Sequence, residues 1–306
     1  MDAVRIELVS KAVYEYVTRI ESAIDKYDLS RLVDLLKQCG DVFITYSGMY
    51  ASTASYMTLL LRSLTRVNAL LVDPEVITYY IAPYAEEGVR RVLIINTGGS
   101  DASLARVLDQ LNLTGYDVML ISFGRLSDAL RYKVSDDYLV ELPNNDLLYQ
   151  HLIIGLVVSN YLDKAGVRGS RLWRELSSLK EIVSDLISRY VSKLMEIKEF
   201  TKEEFIVTYT PSMMGVAEDL AYNYAAGATR HLIPFNAVKQ SVKYVKRILI
   251  TSTDVEEYSV KEIRGMELSG AIKLCELRLR TDPLTAPVYG LMLTKALNVL
   301  SGMDQP

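Results

Sequence analysis

The chain has 306 residues, of which 50% are hydrophobic, and a net charge of −4 with nearly balanced acidic and basic residues. The length predicts about two domains, and the charge balance argues against nucleic acid or an acidic membrane surface as partner. Only two cysteines and two histidines are present, which argues against a disulfide framework, a cysteine zinc site and a catalytic metal. Without a secretory leader or a long apolar stretch, we expect a soluble cytoplasmic protein with no membrane span.

Helical spacing of apolar residues predicts two leading helices, at 3–22 and 29–36. Strand-like runs then alternate with helix-like segments, and this alternation indicates parallel strands in a doubly wound sheet. The predicted strands are 42–46, 68–72, 90–96, 117–122 and 138–142, with helices at 50–63, 74–82, 101–111 and 127–132.

A long helical region follows, predicted at 146–164 and 170–198, with Gly166 and Gly169 as its break. A second set of alternating elements then begins, with strands at 205–209, 231–235, 246–251 and 271–277 and helices at 212–226, 236–244, 256–267 and 284–300. The predicted division of the chain is therefore an N-terminal helical segment (1–40), a first α/β domain (41–150), connecting helices (151–200) and a second α/β domain (201–306).

The stretch Val92–Ser103 combines an apolar run, a glycine-rich polar turn and the start of a helix. Such a turn directs backbone N–H groups and the positive end of a helix dipole at one point, which suits a phosphate. The same pattern also fits an ordinary strand-to-helix turn, because it matches neither common nucleotide-binding motif.

The two α/β sets form an internal repeat. VFITYSGMYAS at 42 is similar to FIVTYTPSMMG at 205, and VLIINTGG at 92 is similar to ILITSTDV at 248. The first copy has glycines at its strand ends, whereas the second has Pro211 and the acidic residues Asp254, Glu256 and Glu257. We expect those carboxylates to repel an anion. The anion site is thus predicted in the first copy alone, at the carboxyl ends of its strands.

Three motifs of the first copy resemble one family. Ser47–Ser52 (SGMYAS) resembles an SGMGGS loop, Asn96–Ser100 (NTGGS) stands where the family has YSGNT, and Ser122–Leu126 (SFGRL) resembles SGGRL. These loops are typical of the archaeal bifunctional phosphoglucose/phosphomannose isomerases, whose fold is two doubly wound sugar isomerase (SIS) domains. The resemblance therefore implies two SIS-type subdomains, each a parallel sheet flanked by helices.

The resemblance also implies a site and a chemistry. Arg125 would stabilise an enediolate, since a fixed guanidinium offers the donors that a developing oxyanion needs. It implies no cofactor, a phosphorylated sugar as ligand, and a homodimer with its sites near the subunit boundary. The residues implied in phosphate binding are Ser47, Gly48, Ser52, Thr97, Gly98 and Ser100.

The second copy departs from the family. Gly227 aligns with the catalytic glutamate and Lys239 with the histidine, although aldose–ketose isomerisation needs a base to move a proton between C1 and C2. His231 is the candidate substitute, while we expect Glu218–Asp219 on a solvated helix face and His151 at a surface or interface. Two hypotheses stay open: an isomerase of the glucose 6-phosphate/mannose 6-phosphate to fructose 6-phosphate type, and a phosphosugar-binding or regulatory protein that has lost catalysis. A scaffold with a closed pocket is a third.

Overall fold

The computed structural model describes residues 3–84, 90–99, 101–161, 166–224 and 231–303. The chain forms two compact units. We call Ile24–Ser177 the first-sheet unit, and Met1–Ala23 together with Ser178–Pro306 the second-sheet unit.

The first-sheet unit contains five parallel strands in the order β2-β1-β3-β4-β5. The chain leaves β1 toward β2 on one side and returns to β3 on the other, so the winding direction reverses between β1 and β3. Ligands of doubly wound sheets bind at such a reversal, outside the carboxyl ends of the strands. The strands are β1 Val42–Ser47, β2 Ala69–Leu71, β3 Arg91–Asn96, β4 Asp117–Phe123 and β5 Leu139–Leu142.

Helices cover both faces of this sheet. On one face α5 and α6 bury Val92, Ile94 and Leu120 in a continuous apolar cluster. On the other face α3 contacts β1 and β3 and packs against α7. The helices are α2 Ser30–Lys37, α3 Ser52–Leu64, α4 Pro74–Val76 continuing as a π-helical turn at Ile77–Ile81, α5 Asp101–Leu113, α6 Asp128–Arg131, α7 Leu147–Tyr161 and α8 Gly166–Leu176.

The second-sheet unit repeats the plan with four parallel strands in the order β7-β6-β8-β9, which matches β2-β1-β3-β4. One face buries an apolar cluster that includes Val238, Ile250 and Val260, and α10 packs between β6 and α13 on the other. The strands are β6 Ile206–Tyr209, β7 His231–Pro234, β8 Arg247–Thr253 and β9 Lys273–Leu279. The first helix of this unit is α1 Ala3–Asp25, of which all but the last two residues belong to it. The others are α9 Leu179–Phe200, α10 Met214–Tyr224, α11 Val238–Ser241, α12 Glu257–Leu268 and α13 Ala286–Gly302.

The predicted fold class is confirmed: two doubly wound parallel sheets are flanked by helices, and all nine predicted strands are present. The predicted helix 170–198 is wrong in one respect, since it is two helices, α8 and α9. A helix boundary does fall at the predicted break, since α7 ends at Tyr161 and α8 begins at Gly166, although Gly169 lies inside α8. The boundary that the prediction missed is at Ser177–Ser178. The Ser177 hydroxyl donates to the Arg174 carbonyl and Ser178 leaves the helical conformation, because serine side chains compete with the backbone for hydrogen bonds.

None of the helices in the described ranges combines the length and apolar character that a membrane crossing requires.

Candidate functional site

The loops that follow β1 and β3 lie against each other at the reversal point of the first sheet. Ser47 and Asn96 pair in the parallel register, and the Thr97 N–H donates to the Ser47 carbonyl at 2.9 Å. The Thr97 hydroxyl accepts from the Tyr50 N–H at 3.0 Å and lies 3.3 Å from the Ser47 carbonyl, to which it donates. Thr97, predicted to bind phosphate, therefore also fastens the two loops together.

Glycine is required where these loops touch. Gly48 has a φ of 103°, and a Cβ there would lie 1.8 Å from the Gly98 carbonyl oxygen. A Cβ on Gly99 would lie 3.2 Å from the Gly48 Cα. Gly98 differs, because no atom of the described residues lies within 4 Å of the Cβ position there. The two loops thus meet backbone to backbone, with open space above Gly98.

Two of the predicted serines have buried hydroxyl groups. Ser47 is 3% exposed, and its Oγ has no hydrogen-bond partner among the residues that the structure describes. Ser52 is 1% exposed and is the first residue of α3. Ser100 lies outside the described residues. The structure thus brings Ser47, Gly48, Thr97 and Gly98 into mutual contact, with Ser52 at the helix start that follows the first loop.

Arg125 is exposed in the loop after β4, the strand next to β3. A chain of hydrogen bonds connects this loop to the end of β3: the Asn96 amide donates to the Ser122 hydroxyl at 2.9 Å, and that hydroxyl donates to the Gly124 carbonyl at 3.0 Å. In the described part of the chain, the Arg125 guanidinium makes no hydrogen bond or ion pair. It is therefore available to an anionic ligand at the same sheet edge.

His151 is a structural residue. We expected it at a surface or interface, but this is wrong because α7 is apolar and buried nearly all round. The ring stacks on Tyr56 at 4.9 Å, and its Nδ1 lies 3.0 Å from the Leu147 carbonyl. Complete burial lowers the pKa of His151 to about 4. A neutral, fixed ring of this kind is a poor proton-transfer group near neutral pH.

The acidic candidates of the second-sheet unit differ from expectation. Glu218 was predicted on a solvated face but is only 3% exposed, because α10 is enclosed by β6 and α13. Burial and the nearby Glu218 raise the pKa of Tyr209. His231 begins β7, although its side chain is not described, and Gly227 falls outside the described residues. No three histidine, cysteine or acidic side chains of the described ranges come together as metal ligands.

The loops after β6 and β8 hold a carboxylate of the chain itself. Glu256 Oε2 accepts from the hydroxyls of Thr210 (2.5 Å), Ser212 (2.6 Å) and Thr253 (2.8 Å), and Oε1 accepts from the Ser212 N–H at 3.1 Å. From the sequence we expected this acid only to repel an anion. In the structure the Glu256 carboxylate is a bound anion.

The internal repeat equates this arrangement with the loops of the first sheet. Tyr46 lies opposite Ile95 in the register of β1 and β3, as Tyr209 lies opposite Thr251 in β6 and β8. Extended along the aligned sequences, this register equates Thr210 with Ser47, Thr253 with Thr97 and Glu256 with Ser100. The loop pair that holds an anion in the second sheet thus corresponds to the predicted phosphate loops of the first.

A cavity of about 840 Å³ in the second-sheet unit lies at the carboxyl end of β9, lined by residues such as Tyr190 and Tyr289. Two of its three arginines already have acidic partners, since Arg189 pairs with Asp185 at 2.7 Å and Arg278 with Glu257 at 3.2 Å. This cavity is not among the predicted site loops, and its volume alone does not identify a ligand.

Comparisons with known proteins show which solved structures this fold is similar to. No protein-family model matches the sequence, and no curated protein matches it either. Solved structures match along nearly the whole chain. A Salmonella typhimurium LT2 protein that is named as a sugar binding protein has a TM-score of 0.65 at 13% identity, over 96% of this chain and 99% of its own.

Two enzyme structures give the same result. Tagatose-6-phosphate ketose/aldose isomerase from Escherichia coli has a TM-score of 0.54 at 13% identity, over 99% of this chain and 93% of its own. The C-terminal domain of glucosamine-fructose-6-phosphate aminotransferase from Francisella tularensis has a TM-score of 0.57 at 14% identity, over 99% of this chain and 96% of its own. The chain therefore shares the fold of these solved structures, which is similar to that of phosphosugar isomerases, as the motifs had implied.

Proposed function

We propose that the first-sheet unit binds the phosphate group of a phosphorylated sugar at the loops after β1 and β3. The observation that carries this proposal is the Glu256 carboxylate, which accepts four hydrogen bonds from the corresponding loops of the second sheet. That arrangement supports an anion-binding role for the loop plan. In the first copy the acid is replaced by Ser100, so the anion has to come from a ligand.

The first-sheet loops offer donors that suit a phosphate. The buried Ser47 hydroxyl has no partner in the described chain and can donate to a phosphate oxygen. The space above Gly98 allows the ligand to approach the backbone closely. Ser52 starts α3, whose N–H groups and dipole favour a negative charge at this end. Thr97 and Ser100 complete the proposed phosphate contacts, with Thr97 also holding the loops in place.

The reaction that we propose is aldose–ketose isomerisation, with glucose 6-phosphate or mannose 6-phosphate and fructose 6-phosphate as the substrate pair. The motif resemblance to the archaeal bifunctional isomerases supports this choice. Arg125, exposed at the same sheet edge, would stabilise the enediolate oxyanion. His231 is the candidate base for transfer of the proton between C1 and C2. This reaction requires no cofactor. A cytoplasmic homodimer belongs to the same proposal.

A second candidate function is phosphosugar binding without turnover. Lys239, which aligns with the family's catalytic histidine, is exposed and forms an ion pair with Glu262. His151 is buried with a low pKa, and Gly227 replaces the family's glutamate. These three observations favour a regulatory or binding protein that keeps the phosphosugar site.

One experiment separates the two. Purified chain is mixed with fructose 6-phosphate, its binding is measured by calorimetry, and glucose 6-phosphate and mannose 6-phosphate are assayed over time. Binding with turnover supports the isomerase, and binding without turnover supports the second candidate. If fructose 6-phosphate, glucose 6-phosphate and mannose 6-phosphate all fail to bind, both proposals are refuted.

Arg125→Ala tests the catalytic assignment. Loss of an oxyanion donor lowers turnover by roughly 100- to 1,000-fold, while the affinity for inorganic phosphate should change only slightly. Arg106→Ala is the matched control, because it removes the same charge from an exposed position on α5 of the same unit. Equal turnover in the two variants would remove Arg125 from the mechanism.

A further inference from the structure

We propose that the second-sheet unit contains a second oxyanion-binding site, which the chain's own Glu256 carboxylate occupies. Removal of that carboxylate would open the site to a free tetrahedral oxyanion such as phosphate. The proposal concerns the second-sheet unit alone and does not depend on catalysis at the first-sheet loops.

The donors of this site are buried and converge on one point. Thr210 and Thr253 are 0% exposed and Ser212 is 6% exposed. Their three hydroxyls and the Ser212 N–H all donate to the two oxygens of Glu256. Hydrogen bonds to an ionised acceptor are the strong kind. The arrangement has the features of an anion site, with a side-chain carboxylate as its ligand.

The backbone holds these donors independently of Glu256. The Thr210 N–H donates to the Thr251 carbonyl at 3.0 Å, and the Met213 N–H donates to the Thr210 carbonyl at 2.8 Å. Pro211 begins the short 3-10 turn that carries Ser212. Because these contacts fix β6 to β8 and shape the turn, we expect the donors to stay in place when the carboxylate is removed.

The neighbouring acids do not block a second anion. Asp254 forms an ion pair with Arg278, and Glu257 pairs with Arg278 at 3.2 Å and with Arg264 at 3.0 Å. These two arginines lower the pKa of Glu257, and Arg264 also pairs with Glu276 at 2.7 Å. Two arginines therefore offset part of the negative charge of these three acids, which reduces the repulsion expected from the sequence.

The test uses the full-length Glu256→Ser variant, which copies the residue at the aligned position of the first half. Inorganic phosphate is titrated at constant ionic strength, with chloride as the reference. The readouts are the folding equilibrium and the amide NMR shift of Ser212. Phosphate at ten times its Kd should raise the folded-to-unfolded ratio about 11-fold over the wild-type response, and the Ser212 amide should shift. The control Glu262→Ala removes an exposed carboxylate from α12 and should respond like wild type.

Two further variants keep the test decisive. Glu256→Gln still fills the site, so it should be destabilised but not rescued by phosphate. Glu256→Ser combined with Ser212→Ala should lose the phosphate response. If Glu256→Ser does not fold in chloride, the readout is the folded fraction recovered in phosphate. The proposal is overturned if Glu256→Ser shows no phosphate response beyond wild type, no Ser212 shift, or no recovery. Fructose 6-phosphate binding by the wild-type chain would then still test the first-sheet site separately.

Discussion

The sharpest test of the first-sheet site is the variant Ser47→Ala, because it should change stability and binding in opposite directions. In the ligand-free chain the Ser47 hydroxyl is buried without a partner in the described residues. An unsatisfied buried group costs about 1–3 kcal/mol, so its removal should stabilise the free chain by about 1 kcal/mol. A hydrogen bond to a charged ligand contributes about 1.5–3 kcal/mol. The same variant should therefore bind fructose 6-phosphate roughly 10- to 100-fold more weakly.

A matched control lies on the same strand face. Thr45 in β1 is 0% exposed, and its hydroxyl likewise has no hydrogen-bond partner within the described chain. Thr45→Val keeps the side-chain shape, so it should stabilise the free chain in the same way. It should leave the ligand affinity unchanged, because Thr45 lies inside the strand and not in the loop. Urea unfolding measures the stability of each variant, and calorimetry with fructose 6-phosphate measures the affinity.

Two results would refute this reasoning. If Ser47→Ala destabilises the free chain, the hydroxyl has a structural partner and is not available to a ligand. If Ser47→Ala and Thr45→Val bind fructose 6-phosphate equally well, the phosphate does not contact Ser47.

Three other properties can be checked in the same preparations. Gly48→Ala should lose ligand binding and lower the free energy of unfolding by more than the roughly 1–3 kcal/mol of backbone strain, because its Cβ would meet the Gly98 carbonyl oxygen at 1.8 Å. Gly115→Ala is the control: its φ is also positive, but no described atom lies within 4 Å of the Cβ position, so it should show the strain alone. Equal unfolding free energies for the two variants would contradict this. Burial lowers the pKa of His151 from 6.5 to about 4. The neutral ring therefore contributes fully to the free energy of unfolding above pH 6.5, and this contribution falls by about 3 kcal/mol as the pH drops to 4. Acid unfolding curves of wild type and His151→Gln should differ between these two pH values. Burial raises the pKa of the Cys39 and Cys275 thiols to about 12, so neither should be alkylated at pH 8 until urea unfolds the chain.

The fold was predictable because its signals are local and repeated. The apolar run Val92–Ile95 is buried on both faces of the sheet, as a central parallel strand requires. Alternation of such runs with helices leaves few topologies, and the observed strand order follows from them. The break at Ser177–Ser178 was missed because two serines are compatible with either a helix or its end. Packing and backbone hydrogen bonds decide between them.

The site was predictable only as a set of residue types. The sequence identifies Thr97 as a hydroxyl beside a glycine turn, but not that this hydroxyl holds the first loop through Ser47 and Tyr50. It likewise places His151 on a helix without showing that the helix is enclosed. Burial and the direction of a hydrogen bond depend on distant parts of the chain, and a single sequence contains no signal for them.

Glu256 shows how an expectation from sequence can rest on an incomplete cause. The sequence predicts a single external anion, in the first half, because acids in the second half would repel another. The structure favours a different reason, since the Glu256 carboxylate takes the hydrogen bonds that the anion would use. A tethered group competes at an effective concentration of at least millimolar order, and a free phosphosugar would have to exceed it. Among the described residues the Ser47 hydroxyl has no such occupant, which is why we propose the first-sheet loops as the site for a ligand from solution.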